Sequence, residues 1–275
     1  MTYQFASWEK YQKSITHFIS TKNGGVSEGD YQSLNVGFGV PDNPNNVIEN
    51  RKILAKNINI PIENFVFCNQ VHQNKVNVIT TEEKGAGVFD KSTAIQSCDS
   101  IITAEPDICL CVMAADCLPI LLYDEKRGVV GACHAGWRGT ISHIMTETIK
   151  AMQYHFDCQP EDIMVGLGAC ISVEKYPIGE EIVEVVKEIF GTEEGFLKQY
   201  PHSNQKHFDL KYANIFQCKE MGILEENITN LTMCTYDNQK DFFSARYAQH
   251  HKQQTGRFCA GIMLKNRDFL TFEYI

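Results

Sequence analysis

The sequence predicts a mixed α/β fold in one continuous domain over residues 1–275. Strand-like apolar runs crowd the middle of the chain, and helix-period stretches stand between and after them, placed to cover the faces of a sheet. No internal repeat or low-complexity linker divides the chain, and 275 residues lies within the range of a single α/β domain.

In chain order, "SITHFIS" (14–20) reads as a strand, and the glycine-rich "TKNGGVSEG" after it as a turn. "NPNNVIENRKILAKNI" (43–58) reads as a helix, with an asparagine cap in front and Val47, Leu54 and Ile58 on one face. Two strands follow, "NFVFCNQ" and "KVNVIT", hinged at Val71-His72-Gln73. The centre holds four more: "DSIIT", "ICLCVMA", "LPILLYD" and "GVVGACH". The last leads through "AGWRG" into the helix "TISHIMTETIKAMQYHF", striped by Ile141, Ile144, Met145, Thr148 and Met152. A strand "DIMVGLGA" and a helix "GEEIVEVVKEIF" come next. The last third offers the helix "DLKYANIFQCKEMG" with Gly222 as its stop, a strand near "LTMCT", and the closing strand "RFCAGIML".

Composition narrows the function. A formal charge of −9 argues against a nucleic-acid surface. The N-terminus lacks a basic region followed by an apolar core, and the longest apolar run, 108–123, is broken by Asp116 and Pro119 and too short to span a bilayer. The 11 cysteines form no C-x-x-C pair, which fits thiols packed as small hydrophobes in a reducing cytoplasm. Cys109 and Cys111 alternate along a strand and read as core.

Three metal-competent side chains fall where apolar periodicity breaks: His72 in "NQVHQN", Cys117 in "AADCLP" and His134 in "ACHAGW". Two imidazoles and a thiolate suit Zn²⁺ and leave a fourth position open, the arrangement of catalytic sites. Cys117 and His134 equally admit a thiol–imidazole dyad, with the thiol as nucleophile. A multicopper oxidase is rejected, because the nine histidines form no H-x-H pair.

The motifs "GGVS-x-G" (24–29), "Y-x-SLN-x-G" (31–37), "NR" (50–51), "QVH" (70–72), "ADCLPILLYD" (115–124), "HAGWRGT" (134–140), "CT" (234–235), "FFSAR" (242–246) and "TGR" (255–257) stand in one order. Together they resemble the YfiH-like laccase-domain family over nearly the whole chain. The resemblance implies a layered α/β/β/α sandwich with a mixed central sheet, similar to some toxin-type cysteine hydrolases. It implies a zinc-dependent purine nucleoside phosphorylase, acting on adenosine, inosine and methylthioadenosine and also deaminating adenosine. By motif, the metal ligands carry over onto His72, Cys117 and His134, with copper binding possible at such an N/N/S site. The alternative is a Cys-His thiol hydrolase of an amide bond, such as a peptidoglycan-precursor editor, which some members of the family look like.

Phosphorolysis needs an anion site, and Arg51 and Arg246 are the candidates for phosphate, since guanidinium contacts suit it. Arg138 serves either there or in packing at a helix start. Asp99 and His72 are candidates for the acid that protonates the leaving purine. Asn35, Gln70 and Asp116 are candidates to orient ligands or cap turns, and Ser244 to add a hydroxyl beside the anion. Trp137 packs over the site or staples the helix. The expected partners are purine nucleosides and phosphate, with no nucleic acid or membrane, for a cytoplasmic monomer or homodimer. The chain departs from the family pattern at "GLGACIS", which lacks a proline, at Tyr247 in place of a second arginine, and at "VPDN" (40–43). His250 and His251 are extra and read as loop residues.

Overall fold

The computed structural model describes residues 2–266. The chain opens with β1 (Thr2–Tyr3) and β2 (Ile15–Ser20), followed by α1 (Pro44–Asn57), β3 (Phe65–Phe67) and β4 (Val76–Val78). The central run is β5 (Ser100–Thr103), β6 (Cys109–Ala114), β7 (Leu118–Asp124) and β8 (Val129–Ala135), passing into α2 (Trp137–Ile141) and α3 (Ile144–Phe156). Next come β9 (Ile163–Leu167), α4 (Glu180–Phe190), β10 (Leu197–Gln199), β11 (Lys206–Phe208) and α5 (Leu210–Glu220). β12 (Ile228–Asn230), α6 (Ala245–His251) and β13 (Phe258–Leu264) close the fold.

Alternation along the strands sets the layers. In β7, Leu121 and Tyr123 face one core while Leu118, Ile120 and Leu122 face another. In β6, Leu110, Val112 and Ala114 join the first of these cores, and Cys109 and Cys111 point to a third, which Leu54 of α1 also enters. Each strand is thus buried on both faces, and each large aliphatic so placed stabilises the fold by about 1.5–3 kcal/mol. The three cores separate four layers: α1, a five-stranded sheet (β1-β2-β13-β6-β3), a six-stranded sheet (β12-β9-β7-β8-β5-β4), and the helices that include α3 and α5. This is the expected α/β/β/α sandwich. Its centre is a pair of sheets, and each is mixed: β3–β6, β4–β5 and β9–β12 are parallel, and the remaining neighbours are antiparallel. A separate hairpin, β10–β11, was not signalled by alternation.

Most elements lie where the sequence places them. Asn43 caps α1 by accepting the Asn45 N–H at 3.0 Å, with Pro44 in the first turn. Three differences have physical reasons. The helix expected over 140–156 is two helices, broken at His143, which takes a left-handed backbone (φ 61°). The break frees Thr140 to dock on α5, where its hydroxyl accepts from Asn214 and its carbonyl from Gln217. The strand expected near 231–235 lies upstream, as β12; at its expected place an isolated parallel bridge joins Cys234 to Cys170, and the Thr235 hydroxyl bonds Asp116. His250 and His251 belong to the last turn of α6, not to a loop.

Candidate metal centre

The site lies where the chain crosses from one sheet to the other. β6 belongs to the five-stranded sheet and β7 to the six-stranded one, and Ala115-Asp116-Cys117 is the connection. Register then sets the neighbours: Leu118 pairs with Ala135 and Pro119 with His134, so Cys117 meets the end of β8. The loop carrying His72 closes over both. The ligand atoms of His72, Cys117 and His134 all lie within 4.8 Å of one another. The two imidazoles meet edge to face, with ring centroids 4.8 Å apart. Gly136 makes the room: a Cβ there would stand 2.9 Å from Cys117 Sγ and 3.2 Å from His72 Cδ2. Its φ is an ordinary −80°, so space, not backbone freedom, is what glycine supplies.

Two buried carboxylates hold the supporting segments. Asp99 accepts the backbone N–H groups of Val71, His72 and Gln73 at 2.9–3.1 Å, and its Oδ1 lies 2.9 Å from His134 Nδ1. Asp116, with φ +89°, accepts from the Thr235 hydroxyl and the Arg246 backbone N–H, both at 2.6 Å. Burial raises the pKa of Asp116. Burial also acts to raise that of Asp99, but His134 and the backbone donors of the His72 loop outweigh it and lower the pKa. At the thiol, burial is again outweighed, here by His134 and His72, which bring Cys117 down to about 6. His134 rises to about 9 against its own burial, because Cys117 and Asp99 both favour its charged form. Each group thus favours the charged form of the other, Cys117 as thiolate and His134 as imidazolium.

The centre opens into a cavity of about 340 Å³. Three cationic side chains line it, Arg51, Lys91 and Arg257, and among the described residues no carboxylate does. In a chain of net charge −9 this is a local reversal of sign.

Residues 16–265 match the family described as multi-copper polyphenol oxidoreductase laccase. The chain belongs to that family. It is 32% identical over 251 residues to a protein of Bacteroides thetaiotaomicron named purine nucleoside phosphorylase, covering 91% of this chain and 92% of that one. A Bacillus subtilis protein named purine nucleoside phosphorylase YlmD is 31% identical, over 96% of this chain and 94% of its own. The crystal structure of Bacillus licheniformis hypothetical protein YfiH superposes with a TM-score of 0.87 at 28% identity, covering 94% and 95% of the two chains. That of YlmD from Geobacillus stearothermophilus gives 0.85 at 32% identity, covering 92% of each.

The laccase description fits the donor set poorly. Among the described residues one group of three His, Cys, Asp or Glu side chains is close enough to hold a metal ion, whereas a multicopper oxidase needs several. A single N/N/S group suits one zinc or copper ion.

The remaining sequence candidates divide sharply. Arg51 lines the cavity but is 2% exposed, stacked between Phe38 and Phe67, with N–H groups donated to the carbonyls of Val36, Gly87 and Val88. Burial lowers it to about 10. Arg246 lies outside the cavity lining; its guanidinium reaches the Pro177 carbonyl at 3.1 Å and stacks on Tyr176. Ser244 caps α6, accepting from Tyr247 N–H at 3.1 Å. Asn35 is fully buried, its carboxamide spent on Gly37, Asp42 and the Arg257 N–H. Asp99 is 0% exposed with both oxygens occupied, so it is unsuited as an acid for substrate. Gln70 grips Met113 at the end of β6 through two 2.8 Å bonds. Trp137 packs against the helix-side core, and exposed Arg138 stacks on it at 4.3 Å. The residues missed are Arg257 and Lys91. Arg257 stood in the "TGR" motif, which was the available signal for it.

Proposed function

We propose that this protein is a zinc-dependent purine nucleoside phosphorylase that also deaminates adenosine at the same site. The observation that carries the reading is the His72–Cys117–His134 group opening into a cavity lined by cations and, among the described residues, free of carboxylates, in a chain whose relatives are named for phosphorolysis. Zinc held by these three residues would supply Lewis acidity at one wall of the cavity. Inosine, adenosine or methylthioadenosine and phosphate are the substrates. Arg257 and Lys91 orient phosphate, taking over the role expected of Arg246, and Arg51, its N–H groups spent on carbonyls, offsets the anion's charge from the cavity wall. A phosphate oxygen bonds to C1′ as the C1′–N9 bond breaks, and the bonding pair leaves with the purine. The cavity's Phe38 and Phe67 supply an apolar wall. Among the described residues, no helix is long and apolar enough to cross a membrane. In this reading the enzyme acts on small molecules in the cytoplasm, as a monomer or homodimer.

One observation favours a second reading. The lowered thiol of Cys117 beside the raised His134 is the ground state of a thiol hydrolase acting on amide bonds. Alkylation separates the two, because a zinc-bound thiolate resists iodoacetamide until a chelator strips the metal.

The deciding experiment is hypoxanthine release from inosine, with and without phosphate, on wild type and His72→Ala, with metal content assayed in both. Phosphate-dependent release by zinc-loaded wild type, lost in the variant, is expected. No release from folded, zinc-loaded protein would overturn the reading and turn attention to Cys117 as a nucleophile.

A further inference from the structure

We propose that Asp99 is a positioning residue that assembles the metal centre before any metal arrives, holding the His72 loop with one set of bonds and aiming the His134 ring with another. The inference rests on His72, Cys117 and His134 being the metal ligands. His72 is an exposed side chain on a loop, and nothing in its own sequence fixes it. What fixes it is an anion beneath it. Asp99 Oδ2 accepts from Val71 N–H at 3.1 Å and Gln73 N–H at 2.9 Å, and Oδ1 accepts from His72 N–H at 2.9 Å. Three successive N–H groups converge because His72 has φ +60°, a left-handed turn that wraps the backbone into a small anion-binding nest.

The same carboxylate reaches the second imidazole. Oδ1 accepts from His134 Nδ1 at 2.9 Å, and the Asp99 carbonyl accepts the His134 backbone N–H at 2.7 Å. A proton on Nδ1 leaves Nε2 as the ligand atom and fixes the tautomer. Asp99 is itself held rigidly: it is 0% exposed, at the head of β5, and its N–H donates to the Lys75 carbonyl at 3.1 Å. One side chain thereby couples a loop and a strand that are far apart in sequence. Cys117 is placed independently, by the crossover that Asp116 holds.

The test has two arms. In metal-free wild type, amide hydrogen exchange at Val71, His72 and Gln73 is measured by NMR. Protection of about 100-fold or more over an unstructured chain is expected, since these N–H groups are already bonded. Exchange at the unstructured rate until metal is added would overturn the inference. In Asp99→Asn, the carboxamide turns an NH₂ toward backbone donors. Zinc affinity, read by competition with a chromophoric chelator, is expected to fall about 10–100-fold. The cobalt(II)-loaded variant is also expected to lose the intensity of its visible bands as His72 drops out of the ligand set. Unchanged affinity and an unchanged cobalt spectrum would overturn the proposal. Wild type that binds no zinc would instead refute the metal-centre reading, and the exchange arm would still decide the role of Asp99. That arm needs no variant, so an Asp99→Asn protein that fails to fold leaves the test intact.

Discussion

His134, at the candidate metal centre, is 2% exposed; His17, in β2, is 5% exposed. Burial is common to the two, but charge is not. His17 stacks on Phe5, packs tilted against Trp8, accepts the Phe5 backbone N–H at Nε2, and has its pKa lowered to about 4 by burial. His134 is raised to about 9 by Cys117 and Asp99, in spite of burial. Burial in an apolar setting strips an imidazole of its proton, and two anions placed against the ring restore it. The charge of His134 is therefore set by Cys117 and Asp99 against its burial, whereas that of His17 is set by burial.

The largest expected effect comes from breaking that partnership. Cys117→Ala removes a ligand and the chief anion facing His134, so the variant should retain no stoichiometric zinc. Phosphorolysis should fall on the order of 10³-fold or more. The His134 pKa, followed by NMR on metal-free protein, should drop below about 9, toward the behaviour of His17. An unchanged titration would mean that Asp99 alone holds the proton and that the contrast between the two histidines has another cause.

A smaller effect tests the space between the ligands. Gly136→Ala places a methyl group 2.9 Å from Cys117 Sγ. Overpacking of this kind costs about 1–3 kcal/mol. Because the strain falls on the ligands, it should appear as zinc affinity weakened about 5–150-fold, with little change in the melting temperature of the metal-free protein. Loss of stability without loss of affinity would place the strain in β8 instead.

The same contrast explains what the sequence disclosed. Strands and helices were legible where a local signal sufficed: the Asn43-Pro44 start of α1, and the apolar runs of β6 and β7. The candidate trio of His72, Cys117 and His134, which the fold brings together, was legible through "QVH", "ADC" and "HAGW", although spacing alone could not join three distant segments. Partnerships were not legible. Asp99 looked like a free acid because the N–H groups it serves lie 26–28 residues away, and His134 lies 35 away. Arg246 and Ser244 looked like an anion site, yet a serine ahead of "ARYAQHH" is also a helix-cap signal, and that local reading prevailed. Arg257 joined the cavity because β13 lies between β2 and β6, a neighbourhood that only the assembled sheet creates.

The smallest effect sharpens the comparison through pH. In the metal-free protein, Cys117 near 6 and His134 near 9 titrate oppositely to an unfolded thiol near 9 and an imidazole near 6.5. Between about 6.5 and 9 the folded pair holds one proton, on nitrogen, and the unfolded pair holds one, on sulfur. The proton counts match, so the centre gives stability almost no slope in that window. His17 behaves otherwise. Its folded pKa lies below its unfolded value, so between about 4 and 6.5 the unfolded chain binds the extra proton and stability is lost as pH falls. Between pH 6.5 and 5 this amounts to about 1–2 kcal/mol. His17→Gln retains an acceptor for the Phe5 N–H and does not titrate, so urea melts of the variant should show a shallower acid slope than wild type, with unchanged zinc affinity. Equal slopes in the two proteins would mean that His17 is protonated in the fold, and that burial alone does not govern it.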